Sequence, residues 1–358
     1  MRQSLISVVT GGVTVGDLVR NASMHNGDDT AGRSVSAVGL EPKDSSRGDK
    51  ELARGVYTLA NDPMYDWLVA FLESMREHEP DLPIVVIPFD DRIDRVARLR
   101  SRYRFAIMDD PVLAEIDRMG ATYYPGDPHW PHAFRKLAAF WGPFETFAFF
   151  DSDVVILQPL REYFEKAEAT PGFVCGDLDV AECFVLGDLR DAMLSTGRVT
   201  GFNTGFFMST RNAFTFPQMQ SLALEGLAVK DGFTFGDQPF INWCVSAAGM
   251  TVIPYYDLLP DVCFSTWAER RPIRRFNGTW RLLDENWQDV GRRMPWLHWA
   301  GSGLDMWMPN IGIFLRYRLA HATPLETVEV LGRWTVNSTR RTAQAAARRI
   351  RRLGSSAP

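Results

Sequence analysis

Residues 147–160 read Phe-Ala-Phe-Phe-Asp-Ser-Asp-Val-Val-Ile-Leu-Gln-Pro-Leu, and this stretch decides the fold class. Its first apolar run predicts a buried strand that ends at Asp151. Asp153 lies two residues further on, so on an extended segment both carboxylates point the same way. Two oxygen ligands on one side suit a divalent cation such as Mn²⁺ or Mg²⁺. At a strand end, where α/β sheets bind ligands, such a cation indicates phosphate or nucleotide chemistry.

The same Asp-Xaa-Asp pattern also occurs in solvated turns and helix caps, which is the alternative interpretation. The residues on either side favour the metal interpretation. Apolar runs precede Asp151 and follow Asp153, and surface turns are seldom flanked in this way.

The bulk composition is that of an ordinary globular protein, with 358 residues, 46% hydrophobic and 23% charged. A net charge of −5 argues against general nucleic-acid binding. No stretch approaches the roughly 20 apolar residues that span a bilayer, and the N-terminal segment is a poor signal peptide. We therefore expect a cytoplasmic location. The cysteines have no CxxC spacing, which predicts reduced core residues: Cys175, Cys183, Cys244 and Cys263.

Three segments are predicted along the chain. Residues 1–51 are interpreted as a flexible leader, because 21–50 are rich in Gly, Ser, Asp and Asn without periodicity. Residues 52–330 are the predicted folded domain. Residues 331–358 are a basic tail with seven arginines and no acidic residue. The tail is interpreted either as a solvated segment or as a peripheral contact with an anionic surface, such as the inner face of a membrane.

Strands and helices are predicted to alternate in the first half of the domain. Apolar runs predict strands at 55–60 and 84–89, and helical spacing predicts a helix over 66–78. A weak strand near 121–124 and a helix around 134–140 precede the Asp151 strand. This alternation predicts a mainly parallel sheet. Further on, we predict a helix over 237–248, with strands and long loops over 251–300.

Five other segments combine with Asp151-Ser-Asp153. Each of the five also has an ordinary explanation. In chain order these explanations are a helix cap, a solvated lysine, a glycine turn before a strand, a second helix cap and a core histidine. In chain order the segments are Thr58-Leu-Ala-Asn61-Asp62-Pro-Met-Tyr65, Phe134-Arg135-Lys136-Leu137, Gly201-Phe-Asn203-Thr204-Gly205, Gly236-Asp237-Gln238, and Leu297-His298-Trp-Ala-Gly301.

Taken together and in this order, the six segments resemble the retaining GT-A glycosyltransferases of the glycogenin and bacterial galactosyltransferase group, family 8 of the sugar enzymes. The resemblance runs from about residue 56 to residue 309. It implies an α/β, Rossmann-like GT-A fold with a mixed, mostly parallel sheet flanked by helices. It also implies a hexosyltransferase that uses a nucleotide sugar, a UDP-sugar first of all, with Mn²⁺ (or Mg²⁺) and retention of configuration. The acceptor stays unknown: a glycan, a lipid, a small molecule or a protein.

The resemblance implies a role for each matching residue. The metal ligands would be Asp151, Asp153 and His298. The residues around the transferring sugar would be Asn203, Asp237 and Gln238. The nucleotide would be bound by Thr58, Asn61, Asp62, Tyr65, Lys136 and Ser152. In one place the pattern is broken, because the position of the family's diphosphate-binding lysine is Leu304. Either another cation replaces this lysine, or phosphate binding is weaker. The candidates for the replacing cation are Arg270, Arg271, Arg274 and Arg275.

Three other classes compete with this interpretation. A haloacid-dehalogenase-type phosphatase uses Asp-Xaa-Asp after an apolar strand, but that motif normally opens the domain. A nucleotidyltransferase would want a Gly-rich loop after its first strand, and residues 58–65 contain no glycine. A degenerate transferase that only binds its ligand is the non-enzymatic alternative, to which the loss of the lysine at Leu304 lends support.

Overall fold

The computed structural model describes residues 52–170, 172–178, 180–195, 201–263 and 269–354. The leader predicted for residues 1–51 lies outside them. The described residues divide into two compact units. The first unit holds 52–55, 109–148 and the residues from 167 to 254. The second unit holds 56–108, 149–166 and the residues from 255 onward.

The elements form a mixed α/β fold with a mainly parallel central sheet flanked by helices, as the sequence predicts. The strands are β1 (Leu52–Ala60), β2 (Ile84–Pro88), β3 (Ala106–Ile107), β4 (Phe144–Asp151), β5 (Val154–Ile156), β6 (Phe173–Leu178), β7 (Gly201–Thr210), β8 (Val252–Pro254), β9 (Ile273–Phe276), β10 (Thr279–Leu283), β11 (Asp289–Arg293) and β12 (Trp296–His298).

The helices range from single turns to 31 residues. They are α1 (Tyr65–His78), α2 (Asp94–Ala97), α3 (Arg100–Tyr103), α4 (Val112–Tyr123), α5 (Trp130–Ala133), α6 (Arg161–Ala169), α7 (Asp188–Ser195), α8 (Phe216–Ala228), α9 (Gln238–Ala247), α10 (Tyr255–Leu258), α11 (Ile311–Arg318) and α12 (Pro324–Gly354). Short 3₁₀ helices cover Asp62–Met64, Phe134–Trp141, Val180–Glu182 and Lys230–Gly232.

In the second unit, the strand order is β3-β2-β1-β4, with β1, β2 and β3 parallel. The strands β1 and β2 run in register from Val56 opposite Ile84 to Ala60 opposite Pro88, so both end at the same edge. A separate antiparallel pair joins β5 to β12. The core of this unit contains large buried aromatic side chains, including Trp299, Phe314 and Trp334.

In the first unit, the strand order is β4-β7-β6-β8. The strand β6 is antiparallel to β7 and parallel to β8, which makes the sheet mixed. Phenylalanine rings fill the core behind these strands. Phe140 stacks on Phe207 at 6.0 Å between ring centroids, and Phe207 stacks on Phe173 at 5.0 Å. Because apolar area removed from water stabilises a fold, this aromatic cluster holds the strands of the unit together.

Most of the predicted elements are present, and one is wrong. The strands predicted at 55–60 and 84–89, and the helices predicted over 66–78, 134–140 and 237–248, are found with ends within a few residues. The weak strand predicted near 121–124 is instead the end of α4. The buried positions of α4 lie three or four residues apart, a helical pattern that outweighs the β-propensity of the Thr-Tyr-Tyr sequence; they are Leu113, Ile116, Gly120 and Tyr123.

The last helix, α12, crosses the predicted domain boundary at residue 331. Val330 and Trp334 lie on either side of that boundary, and both are buried in the core of the second unit. The division into a domain and a basic tail stays a prediction, but Trp334 and Ser338, which follow the boundary, are buried on one face of the helix. Among the described residues, no helix is long and apolar enough to cross a membrane.

Candidate functional site

The Asp151-Ser-Asp153 segment is the turn between β4 and β5 in the second unit. Burial alternates along it, since Ser152 is buried and the two aspartates are half-exposed. This is the arrangement expected from a period of two, in which both carboxylates lie on the same side. The strand before them is anchored by Phe149 and Phe150, which are fully buried. The turn therefore presents two negative charges from a rigid support.

His298 reaches this turn because β12 pairs with β5. In that antiparallel ladder His298 lies opposite Val154, the residue after Asp153. The backbone N–H of Trp299 donates to the carbonyl of Asp153 at 3.0 Å and continues the pairing. The imidazole is 3% exposed, and its Nε2 lies 3.1 Å from the Asp153 carboxylate. We call Asp151, Asp153 and His298 the Asp–Asp–His group.

The donor atoms of this group fit a divalent cation. One ligand atom from each residue lies within 4.8 Å of the other two. Neighbouring ligands of an octahedral ion with bonds of about 2.1 Å lie about 3 Å apart, so small side-chain shifts would bring all three into contact with one ion. Two carboxylates and one imidazole suit Mn²⁺ and leave coordination positions for other oxygens. The residues predicted from the sequence as metal ligands are thus brought together.

Asn61 and Asp62 fix the turn that follows β1. The Asn61 side chain accepts a hydrogen bond from the Met64 N–H at 3.3 Å, as a helix cap, and donates one to the Asp90 carboxylate at 2.8 Å. Asp62 accepts from the N–H groups of Arg95 and Val96, at 2.9 and 3.0 Å, and so caps α2. Asn61 is therefore the cap of the short helix that follows it, whereas Asp62 bonds the start of a helix further along the chain; both contacts leave a binding role open.

Burial and hydrogen bonding shift the pKa of Asp90 in opposite directions. Burial by itself raises the pKa of this carboxyl. Hydrogen bonds from the side chain and backbone of Arg92 and from the Asn61 amide outweigh it, so that the pKa lies below its usual value. Asp90 is therefore ionised at neutral pH and holds the Asn61 amide in one orientation.

Tyr65 lies half-buried at the start of α1, with an arginine over its ring. The Arg95 guanidinium is 3.9 Å from the ring centroid, a cation–π distance. The Arg318 guanidinium also lies over this ring, at 5.8 Å from its centroid, so a nucleobase that stacks on Tyr65 would meet at least one arginine there. Thr58 is fully buried within β1. Ser152 is buried as well, and its hydroxyl points to the Met64 sulfur at 3.7 Å.

In the first unit, Lys136 is the centre of a buried polar cluster. Its ammonium is 4% exposed and lies 2.8 Å from the Asp237 carboxylate. The Thr204 hydroxyl donates to the same carboxylate at 3.1 Å, and the Thr204 carbonyl accepts from Lys136 at 3.4 Å. We call Lys136, Thr204 and Asp237 the Lys136 cluster. Sequence motifs lying 101 residues apart thus meet in one buried ion pair.

Gln238 and Asn203 lie next to this cluster. The Gln238 side-chain oxygen accepts from the Thr204 N–H at 3.3 Å, and the Asn203 side chain accepts from the Gly205 N–H at 2.8 Å. Gly236 makes the turn before Asp237 with φ of 94°, in the left-handed region that favours glycine. Its N–H donates to the Tyr124 hydroxyl at 2.8 Å. Asp237 and Gln238 therefore both contact Thr204, and Asn203 is the residue before Thr204 in β7.

The position of the family's lysine is occupied by an apolar residue, Leu304. The arginines predicted to replace the lysine have different surroundings. Leu304 is half-buried against the core of the second unit. The Arg271 guanidinium pairs with Glu269 at 2.8 Å, and Arg275 donates to the Gly278 carbonyl. Arg270 lines a cavity whose other lining residues include Arg341 from α12. Of the four arginines proposed from the sequence, Arg270 therefore lies in a place where an anion fits.

Sequence reasoning missed several partners of these residues. No role was predicted for Asp90, yet β1 and β2 are parallel neighbours, so residues just after both strands had to lie close together. Arg95 over Tyr65 and Arg341 beside the cavity left no comparable signal in the sequence. Both come from helices whose packing decides which residue they reach.

Solved structures of glycosyltransferases superpose on this chain. The apo form of the bifunctional glycosyltransferase WbbM superposes with a TM-score of 0.51 at 14% identity, over 82% of this chain. The match covers 53% of the WbbM chain, about half its length. The galactosyltransferase LgtC, in complex with donor and acceptor sugar analogues, gives a TM-score of 0.51 at 14% identity, over 77% of this chain and 100% of LgtC.

Sequence comparisons add nothing to this. No protein-family model matches the chain, and no curated protein matches it. At 14% identity the two superpositions define the fold, which is that of the GT-A glycosyltransferases. Assignment to family 8 stays a prediction from the sequence motifs.

Proposed function

We propose that this chain is a metal-dependent glycosyltransferase that transfers a hexose from a nucleotide sugar, with UDP as the nucleotide and with retention of configuration. The observation that supports this best is the Asp–Asp–His group at the end of β4 in a GT-A fold. Asp151, Asp153 and His298 would hold Mn²⁺ or Mg²⁺, the histidine in its neutral form. The bound ion would act as a Lewis acid that offsets the charge on the departing nucleotide diphosphate.

In the second unit, the turn after β1 would bind the nucleoside. An amide side chain offers two N–H donors and an oxygen with two lone pairs. Asn61 uses one donor on Asp90 and one acceptor position on Met64, which leaves capacity for the polar edge of a base. Tyr65 would lie against the base, and Asp62, Thr58 and Ser152 would shape the turn around it.

In the first unit, Asn203, Asp237 and Gln238 would contact the transferring sugar. The ion pair with Lys136 supports this for Asp237, because it fixes the position of the carboxylate. Lys136 was predicted to reach the donor nucleotide. We retain it in the donor-binding set, with the positioning of Asp237 as its first role.

A donor screen tests the proposed activity. The purified chain is incubated with Mn²⁺ and a panel of UDP-, GDP- and ADP-sugars, and release of free sugar is measured. We expect slow hydrolysis of at least one UDP-hexose, and loss of that hydrolysis in excess chelator. Activity that is unaltered by the chelator would refute the metal-dependent mechanism. A GDP-sugar preference would keep the enzyme class and reject the proposed donor.

The same screen separates the competing classes. A degenerate binding module of the same fold would bind a nucleotide without turnover of any donor. The phosphatase alternative rested on the Asp-Xaa-Asp motif alone, and a GT-A fold argues against it. Release of inorganic phosphate from a phosphomonoester, without release of sugar, would revive it.

The proposed location is cytoplasmic, with peripheral contact to an anionic membrane surface through α12. Three apolar side chains on this helix are exposed, Leu325, Val328 and Val336, and Arg340 is exposed further along it. Apolar and basic side chains on one helix are a pattern seen in surface-bound proteins. Flotation with anionic but not zwitterionic vesicles would support the contact.

A further inference from the structure

The second unit contains a cavity of about 810 Å³ whose wall includes residues that follow His298 in the chain. One wall consists of residues 300–302, which directly follow His298 and Trp299 in the chain. Since consecutive Cα atoms are about 3.8 Å apart, Ala300 lies within about 7.6 Å of His298. The volume falls within the range of roughly 300–1,000 Å³ that is typical of small-molecule sites. The cavity wall therefore begins two residues after a predicted metal ligand.

Another part of the wall, Trp307, Met308 and Pro309, belongs to a loop that is fastened to α12. The Asn337 side chain donates to the Leu304 carbonyl at 2.9 Å, and the Ser338 hydroxyl accepts from the Met306 N–H at 2.8 Å. Met306 is followed by Trp307, which lines the cavity. The loop cannot shift without breaking these contacts, so the shape of the wall is set before any ligand arrives.

A single buried carboxylate, Asp305, bonds the backbone of one lining residue and the side chain of another. Asp305 is 3% exposed. One of its oxygens accepts from the Trp307 N–H at 2.8 Å, and the other pairs with the Arg341 guanidinium at 2.7 Å. Burial of a carboxylate is costly unless it is paired and hydrogen-bonded. Asp305 therefore holds the Trp307 backbone and the Arg341 guanidinium in place at the cavity.

The exposed groups of the lining suit a sugar with a negative charge. Trp307 is 67% exposed, and an indole face packs well against the C–H face of a sugar ring. Arg270 and Arg341 together carry two positive charges against the one negative charge of Asp305. Guanidinium groups bind carboxylates and phosphates in a planar, two-pronged geometry. Ser302 and Thr342 add hydroxyls that can bind a sugar edge.

We propose that this cavity binds a saccharide that carries a phosphate or a carboxylate, and that this saccharide is the acceptor. The acceptor role rests on the proposed transferase function, whereas the binding itself does not. A diphosphate alone would leave the exposed Trp307 ring uncovered and most of the volume unused. The combination of an aromatic platform and two guanidinium groups therefore favours an anionic sugar over the donor diphosphate.

Binding of defined probes tests the proposal. The full chain is saturated with UDP and Mn²⁺, and glucuronic acid, glucose 6-phosphate, glucose and inorganic phosphate are titrated by calorimetry. We expect one of the two anionic sugars to bind at least about 10-fold more tightly than glucose, because charged hydrogen bonds are the strong ones. The preferred probe tells whether a carboxylate or a phosphate is recognised. Displacement of the anionic sugars by UDP, or equal affinity for glucose, would overturn the proposal.

Variants locate the binding in the cavity. Arg270→Gln and Trp307→Ala remove exposed groups, and each should weaken the anionic sugar by about 10- to 100-fold. Arg341→Gln leaves Asp305 buried and unpaired, so it is made together with Asp305→Asn. Matched controls are Arg340→Gln, an exposed arginine on the same helix, and Trp287→Ala, an exposed tryptophan elsewhere. If the control variants lost as much affinity for the anionic sugar as the cavity variants, or if the cavity variants lost none, the sugar would not bind in this cavity.

The two proposals can fail separately. UDP affinity and donor hydrolysis are measured on the same samples. Binding of the anionic sugar without any donor turnover would uphold the site and overturn its acceptor role. Turnover of a donor without such binding would overturn the cavity assignment and leave the transferase function in place.

Discussion

The Asp–Asp–His group and the Lys136 cluster both place carboxylates near a nitrogen base, but their charges are arranged in different ways. In the second unit two half-exposed carboxylates share one imidazole, so negative charge is in excess. In the first unit a buried carboxylate lies 2.8 Å from a buried ammonium, and the two charges cancel. The first arrangement calls for a cation from outside, whereas the second is complete within the protein. Carboxylates of the same type can therefore either leave negative charge for a cation to balance or be fixed in position by a cation of the protein.

The largest effect is expected from breaking the buried ion pair. Lys136→Met should lower the free energy of unfolding by about 3–5 kcal/mol, because it leaves Asp237 buried without its counter-charge. Urea unfolding measures this, with Lys166→Met, an exposed lysine on α6, as the matched control. Adding Asp237→Asn to Lys136→Met should restore part of the loss. If Lys136→Met were as stable as Lys166→Met, the ion pair between Lys136 and Asp237 would not stabilise the fold.

The next effect concerns the group with excess negative charge. Asp153→Asn should abolish Mn²⁺ binding and lower donor turnover by about 10²–10³-fold or more, the size seen when one stabilising group is removed from a transition state. The unfolding midpoint without metal should stay close to that of the wild type. Calorimetric Mn²⁺ titration is the measurement, and Asp257→Asn, an exposed aspartate of the same unit, is the control. Mn²⁺ affinity that matches the control would remove Asp153 from the ligand set.

A smaller effect is expected at the nucleoside turn. Tyr65→Ala should weaken UDP binding by about 1–3 kcal/mol, the size of a base-stacking contribution. Arg95 covers one face of the Tyr65 ring, so Arg95→Gln tells whether that face is needed. Tighter UDP binding in Arg95→Gln would show that the guanidinium competes with the base, and weaker binding that it is part of the site. No change in Tyr65→Ala would refute stacking on this ring.

The smallest effect is a pH dependence of the second unit that is separate from metal binding. Burial lowers the pKa of His78 below its usual 6.5, although Glu77 acts in the opposite direction. The unfolded chain then binds more protons than the folded chain below pH 6.5, so the free energy of unfolding falls as the pH drops through that range. His78→Gln should flatten this slope in urea unfolding at pH 7.5 and 5.5. An unchanged slope would assign the pH dependence to other groups.

The fold was largely predictable because apolar periodicity is a local property. The spacing within α1 and the apolar runs of β2 and β4 each follow from a few neighbouring residues. The error at 121–124 arose where a short β-prone sequence ends a helix, and there the helical spacing of Leu113, Ile116 and Tyr123 carried the correct information. The β-propensity of a short segment is a weak predictor of its secondary structure where packing against the core favours a helix.

The candidate site was predictable only in part. Asp151 and Asp153 follow from strand periodicity, but His298 came from a resemblance, because nothing local shows that β12 pairs with β5. The partner of Lys136 was not predicted at all, since its ion pair joins motifs that are distant in the chain. Arg341 was placed in a solvated tail, whereas it is an ordered part of a cavity wall through Asp305.

The pairing of β12 with β5 has a consequence for the mechanics of the chain. Asp153 and His298 are about 145 residues apart in sequence, so an ion bound to both would close a very long loop. The entropy lost on closing a loop grows with the logarithm of its length, and the unfolded chain cannot offer the three ligands together. A cation at this place would therefore act as a reversible cross-link of the second unit. Each tenfold excess of ion over its dissociation constant would then raise the free energy of unfolding by about 1.4 kcal/mol.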